Sequence, residues 1–318
     1  MWSFLLFVAV IYLVIKAFQF NIIAGVIATI LVLLYGYFKW YTDYCVMKAR
    51  AVYSKDPKKA LAIFERGYKH RMNIGHLEIY AYYLLREGEI EKSEGIYKKL
   101  LAQNLKPELR LKIRSNYAVL LLKTGRIDEA VEELEEITLN YINTTTYGTL
   151  GYLYLLKNNR RKAESFNKEA YDYNSSDPVI LDNCVQLYIK LGRFSEAKKY
   201  ADELIEKKPY FAEGYYDSAY VYMKLGDYDK ALDLIEKAKT CRITFMSNIS
   251  EEDILEFEKN LNDKNFDFPH KLGNFSSSET EEEEADDEPL EYAYEEETVY
   301  EYDETTLSDD DDENDPFI

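Results

Sequence analysis

Few side chains in this sequence could ligate a metal or act as a nucleophile, and they are scattered. The histidines are His70, His76 and His270, and the cysteines are Cys45, Cys184 and Cys241. Two ligands on one helix face stand four residues apart, a spacing that His70 and His76 lack, so both read as surface or loop histidines. No two cysteines have the spacing of a zinc or redox motif, and an odd, dispersed set suits a reducing compartment. Asp309 to Asp315 superficially resembles a calcium loop but has neither its turn glycine nor its closing glutamate. No glycine-rich phosphate loop and no nucleophile elbow occurs. The expectation is a protein that is not an enzyme, with no cofactor, no bound metal and no small-molecule substrate.

Charge narrows the classes further. Of 58 acidic residues, 21 lie between Glu279 and the C-terminus, where there is no Lys or Arg. The remaining 37 face 39 basic residues, so a nearly neutral body precedes a strongly acidic tail. Nucleic acid is excluded as an expected partner, because it needs a basic face and the tail would repel it. The glutamates at 132, 133, 135 and 136 read as a solvated helix face.

Trp2 to Phe18 is apolar apart from Lys16, and Ile22 to Phe38 carries no charge. At 17 residues each, the runs stand near the lower limit for crossing a bilayer, with Gln19-Phe20-Asn21 as the turn. A cleaved signal peptide would need a basic start and a small-residue cleavage site, which do not stand out. The expected element is a transmembrane helical hairpin over residues 1–41. A re-entrant or shallow hairpin is the alternative. Lys39, Lys48, Arg50, Lys55, Lys58 and Lys59 follow the second run, which puts that side in the cytoplasm by the positive-inside rule. The expected location is therefore the cell membrane, with two spans and the rest of the chain cytoplasmic.

Residues 42–243 repeat themselves. A small residue recurs at Ala60, Ser93, Ala130, Ala163, Ala197 and Ala231, at gaps of 33, 37, 33, 34 and 34 residues. One unit reads Tyr147, Leu150, Gly151, Tyr154, Ala163, Ala170, and another Tyr215, Ala219, Tyr222, Gly226, Ala231, Ala238. Pro209 ends the unit between them. The period and these phased residues resemble the tetratricopeptide-repeat (TPR) family. The resemblance implies an all-α solenoid of about six helix-turn-helix repeats, because one such unit cannot bury its apolar face alone. Residues 244–272 are expected to form a capping helix and linker, with Ser250 and Asp253 placed to cap a helix carrying Ile254 and Phe257. Residues 273–318 have the composition of a disordered acidic tail.

The resemblance also implies a concave groove lined by positions two, five, six and nine of each first helix. Carried onto this chain, those positions nominate Lys112, Asn116, Tyr152, Asn183, Gln186, Tyr216 and Tyr220 as a protein-binding set. Ser115, Val119, Gly148 and Tyr82 stand beside them. An amide both donates and accepts, so Asn116 and Asn183 suit a ligand's main chain. The family's carboxylate clamp is incomplete, since Asp182 stands where a neutral or basic residue would be needed. The expected function is a membrane-anchored scaffold or adaptor. Its expected partners are proteins or peptides through the groove and the tail, and the lipid bilayer through the hairpin. Alternatives are an assembly factor acting through the membrane helices and an envelope protein with its repeats outside the cytoplasm.

Overall fold

A computed structural model describes residues 2–275, with side chains from Ala9 onward except that of Lys39. The acidic tail from residue 276, including Asp309 to Asp315, lies outside the described residues. Helix starts are written locally. Asp56, Asn73, Asn143, Asn159, Asp177 and Asp227 each accept a hydrogen bond from a backbone N–H of the first turn they precede. Pro57, Pro107 and Pro178 open their helices where no backbone donor is required. The turn inside five of the helix pairs uses a left-handed residue. Gly88, Gly125, Gly192 and Gly226 supply it with φ between 69° and 85°, and Asn158 supplies it at 56°.

The chain divides into two compact units that part between Leu105 and Lys106. The first holds α1 (Trp2–Phe20), α2 (Ile22–Tyr53), α3 (Pro57–Lys69), α4 (Ile74–Arg86) and α5 (Ile90–Leu101). Helix α1 packs on α2, and a Cβ added at Gly25 would fall 2.2 Å from the Phe18 ring. The expected boundary at residue 41 falls inside α2, which has no proline and runs on to Tyr53 with a 46° bend between Phe38 and Trp40. Its far end buries Cys45, Val46, Ala49 and Tyr53 and packs on α3, so it serves as the first helix of the first repeat. Its near end and α1 carry their apolar side chains outward, with Leu13 65%, Phe20 88%, Ile22 74% and Leu33 67% exposed. Among the described residues no single helix is long and apolar enough to cross a membrane. Ile22–Phe38 and Trp40–Tyr53 meet that test only together, and Ala9–Phe20 is a shorter apolar helix.

The second unit stacks four pairs: α6 (Pro107–Lys123) with α7 (Ile127–Thr138), α8 (Thr144–Leu156) with α9 (Arg160–Tyr173), α10 (Pro178–Lys190) with α11 (Phe194–Glu206), and α12 (Ala212–Lys224) with α13 (Tyr228–Thr240). Helix α14 (Glu251–Asn262) follows, started by a reciprocal capping box between Ser250 and Asp253, and it packs on α13. Its Ile254, Phe257 and Leu261 are buried and its Leu255 is exposed. The architecture among the described residues is the all-α helical repeat that the period implies.

The phased small residues lie where the two helices of a pair meet. All six are fully buried. Ser93 is accommodated because its hydroxyl donates to the Ala81 carbonyl of the partner helix at 2.7 Å. The tyrosines have a second role besides filling space. Tyr154 donates its hydroxyl to Glu135 at 2.9 Å, and Tyr222 donates to Asp202. Tyr80 likewise donates to Glu65 at 2.7 Å. Each acceptor stands five residues after its repeat's small residue, so one carboxylate position latches each of these repeats to the next first helix. A tyrosine packs its ring into the interface while its hydroxyl finds a partner at the rim.

Candidate functional site

In the second unit the first helices lie side by side, α6 by α8, α8 by α10, and α10 by α12. Their shared face carries the positions that the resemblance assigns to a groove, and the segment that follows α14 packs against it. After α14 the backbone turns through Lys264, which has a positive φ of 56°. It then runs on without helix through Phe268-Pro269, where proline disfavours helix for the residue before it. Residues 264–272 are thus more than the linker expected there, and 273–275, expected to open the disordered tail, continue the packed segment to Phe275 against Lys190.

Side chains of the first helices take the main chain of this segment. Lys224 donates to the Phe266 carbonyl at 3.1 Å, and the Tyr220 hydroxyl donates to the Phe268 carbonyl at 3.1 Å. Lys190 donates to the Leu272 carbonyl at 3.0 Å and to Asn158 Oδ1 at 2.7 Å. The Phe275 amide then donates to the Lys190 carbonyl at 3.3 Å. Aromatic contacts set the register. Phe266 stacks on Tyr228 at 3.8 Å, Phe268 meets Phe257 edge-on at 4.9 Å, and Phe275 lies 4.9 Å beneath the Lys190 ammonium.

A second stretch of the chain reaches the same face. Lys123 donates to the Met246 carbonyl and, at 2.6 Å, to Asn248 Oδ1, while the Asn248 amide donates to Glu213. Lys123, Lys190 and Lys224 end α6, α10 and α12, and each gives its ammonium to a backbone carbonyl of a returning segment. Burial draws the Lys123 ammonium down to about 8, against the opposing pull of Glu213.

Between these contacts lies a buried acidic network. Gln186 Nε2 donates to Asp182 Oδ2 and to Asp217 Oδ2, both at 2.8 Å. His270 Nε2 lies 2.9 Å from Asp217 Oδ1. Burial, reinforced by Asp217 and then Glu213, holds the Asp182 carboxyl well above the usual carboxylate range. Burial also raises Glu213. The Tyr152 hydroxyl is raised by burial and then by Asp217, Asp182 and Glu213, so it belongs to the same acidic neighbourhood.

The nominated residues divide by what they touch. Gln186, Tyr152, Tyr216 and Tyr220 come together around this network, with Tyr220 4.9 Å and Tyr216 6.3 Å from the His270 ring. Asn183 is buried and donates to the Gly148 carbonyl at 2.8 Å, so its amide joins α10 to α8. Asn116 is buried on α6, with Lys112 half-buried one turn before it. His270 is buried. Sequence reasoning did not nominate Asp217, Glu213, His270 or the three lysines. Asp217 was within reach, since it holds the same repeat position as Asn116 and Asn183. The lysines share a register too, at the last residue of a first helix.

Chemically this face grips a chain that carries no helix. It supplies ammonium and phenol donors for carbonyls, aromatic faces for rings, and buried acceptors for a donor side chain. Among the described residues no group of three or more His, Cys, Asp or Glu is placed to hold a metal ion.

Comparisons with known proteins agree with this fold. Residues 185–243 match the tetratricopeptide repeat family. The TPR repeat-containing protein YpiA of Bacillus subtilis (strain 168) is 25% identical over 186 residues, 57% of this chain and 43% of that protein. U-box domain-containing protein 70 of Oryza sativa subsp. japonica is 30% identical over 122 residues, 38% of this chain and 15% of that protein. The chain thus spans less than half the length of either curated relative. A tetratricopeptide repeat protein from Parabacteroides merdae ATCC 43184 has a similar solved fold, with a TM-score of 0.56 and 16% identity, over 80% of this chain and 98% of that one. PilW, titled a widely conserved type IV pilus biogenesis factor, aligns with a TM-score of 0.50 and 15% identity over 68% of this chain and 98% of its own. The family match, the relatives and the solved folds together support the tetratricopeptide-repeat family for the paired helices of this chain.

Proposed function

We propose that this protein is a membrane-held adaptor whose repeat groove binds a non-helical segment of a partner protein. The observation that carries the reading is the grip of Lys224, Tyr220 and Lys190 on the main-chain carbonyls of Phe266, Phe268 and Leu272 in a non-helical segment. Such contacts read backbone rather than sequence, and the same donors suit a segment from another chain. The outward apolar side chains of α1 and the near end of α2 favour a bilayer around them, since an apolar surface of that extent in water invites association. The basic residues that follow favour a cytoplasmic groove.

Photocrosslinking in native membranes tests the groove. A photoreactive residue at Tyr152 is expected to capture a partner that the same residue at Ser195, on α11, does not. Capture at both positions or at neither removes the groove from the reading. Exchanging residues 1–38 for an unrelated two-span anchor tests the hairpin's part. Loss of capture with the groove intact would show that the helices themselves carry the partner. Topology is read with a membrane-impermeant thiol reagent on Ser195→Cys, expected to label only after lysis. Cys184 does not serve, because it is buried and its thiol is pushed up to about 12, chiefly by that burial.

A further inference from the structure

The acidic network on the groove face is short of donors. Asp182 and Gln186 are 6% and 3% exposed, yet Asp182 Oδ1 and Gln186 Oε1 have no hydrogen-bond partner among the described residues. Buried acceptors of this kind are ordinarily satisfied. His270 contributes little to the deficit. Its Nδ1 accepts the Leu272 amide at 3.3 Å, so its one N–H is on Nε2 and is given to Asp217. Gln186 has spent both amide hydrogens on the two aspartates. One imidazole N–H therefore serves a cluster in which two oxygens have no partner, and a cation placed there would draw the Asp182 carboxyl, raised by burial and its acidic neighbours, back to its charged form.

The chemistry that fits is a planar side chain with several donors. A guanidinium carries five N–H groups in a fixed fork, is longer than imidazole, and pairs with carboxylates through charge-assisted bonds. Aromatic rings flank the position, with Tyr216 and Tyr220 beside His270 and Phe257 against both tyrosines. Rings of this kind favour a guanidinium face. The contacts to Phe266, Phe268 and Leu272 fix what lies on either side.

We propose that the partner ligand of this groove is a non-helical peptide with an arginine where His270 now lies, preceded by spaced aromatic residues, and that residues 265–275 are its tethered, weaker competitor. The proposal rests on the groove reading above and specifies its ligand. Local linkage keeps the tethered copy at high effective concentration, so a weaker sequence can still hold the groove until a better one displaces it.

The test uses the full-length chain in detergent micelles, carrying Phe268→Ala and His270→Ala to loosen the tether. Three fluorescein-labelled peptides spanning Asn265–Phe275 are titrated by anisotropy: the native sequence, one with arginine at the His270 position and one with leucine there. The arginine peptide is expected to bind about tenfold more tightly than the native one, the effect of one added charge-assisted hydrogen bond, and the leucine peptide more weakly. Adding Asp182→Asn and Asp217→Asn to the chain is expected to erase the arginine advantage. If the advantage survives, general attraction to an acidic protein explains it and the proposal falls. Equal binding of all three peptides would overturn the arginine inference and leave the groove reading standing. Binding of none would overturn both. Should the loosened chain fail to fold by circular dichroism, His270→Arg in the native chain decides alone: a higher melting temperature supports the proposal and a lower one overturns it.

Discussion

Lys190 and Leu272 stand 82 residues apart in the chain, yet the Lys190 ammonium donates to the Leu272 carbonyl at 3.0 Å, and the same lysine's own carbonyl accepts from the Phe275 amide. Two backbone-directed bonds and the ring of Phe275 thus converge on one residue at the end of α10. The returning segment is held by the repeats rather than by its own secondary structure.

Lys190→Met is therefore expected to free the segment while leaving the repeats folded. Losing the charged donor costs about 1.5–3 kcal/mol. Hydrogen exchange should show faster exchange across 265–275, by about tenfold or more on that energy, with the amides of α8 and α10 unchanged. Loss of protection throughout α10 would mean that the lysine supports the solenoid itself.

Asp182→Asn is expected to stabilise the protein at neutral and alkaline pH. The folded state binds this carboxyl proton more tightly than the unfolded chain does. Stability from this group is therefore greatest in acid and falls as pH rises from the ordinary aspartate range towards the raised value. Asparagine keeps the shape and does not titrate. Thermal melts should show the variant's advantage at pH 8 and its shrinkage towards pH 4. An advantage that does not change with pH would contradict the assignment.

Lys123 titrates with the opposite consequence. Its folded value of about 8 lies below the ordinary 10.5, so stability from this group rises between those two values as the unfolded chain retains the extra proton. The slope cannot exceed about 1.4 kcal/mol per pH unit for one proton. Urea denaturation of the native chain and Lys123→Met at pH 7.5, 9 and 10 should give a difference that grows with pH. A constant difference would place the lysine in solvent.

Asn183→Ala separates packing from ligand binding. The amide is buried against the Gly148 carbonyl, and its loss leaves that carbonyl short of a donor. The expected cost is about 1–3 kcal/mol of folding stability with no partner present. An unchanged melting temperature combined with weaker partner capture would assign the residue to the ligand instead.

The hairpin is tested by charge. Leu13→Glu together with Leu33→Glu places carboxylates on two outward positions of α1 and α2. An ionised side chain at bilayer depth costs about 2.5–3.5 kcal/mol each on insertion scales. The double variant should shift from the carbonate-resistant membrane pellet to the supernatant. Unchanged pelleting would remove the bilayer from the proposal.

Periodicity was enough to establish the paired helices, because a small residue every 33 to 37 positions marks each helix crossing, and a chain that repeats this must stack. Caps at Asp56, Asn73, Asn143 and Asp177, and the left-handed turns at Gly88, Gly125, Gly192 and Gly226, were local signals of the same kind. The family resemblance implied a groove face, and carrying its positions onto this chain brought in Gln186, Tyr152, Tyr216 and Tyr220. What lies on that face could not be read this way. Residues 264–275 carry no helical period, and their partners at Lys190, Asp217, Tyr220 and Lys224 are 42 to 82 residues away in hydrogen-bonding terms. Whether an amide such as Asn183 faces a ligand or a neighbouring helix is settled by a carbonyl 35 residues off, and only the packed repeats bring the two together. Short-range chemistry determined which helices form and how they pair. Tertiary structure alone decided that residues 264–275 cover this face, that His270 is buried against it, and that Asp182 Oδ1 and Gln186 Oε1 stay without a partner among the described residues.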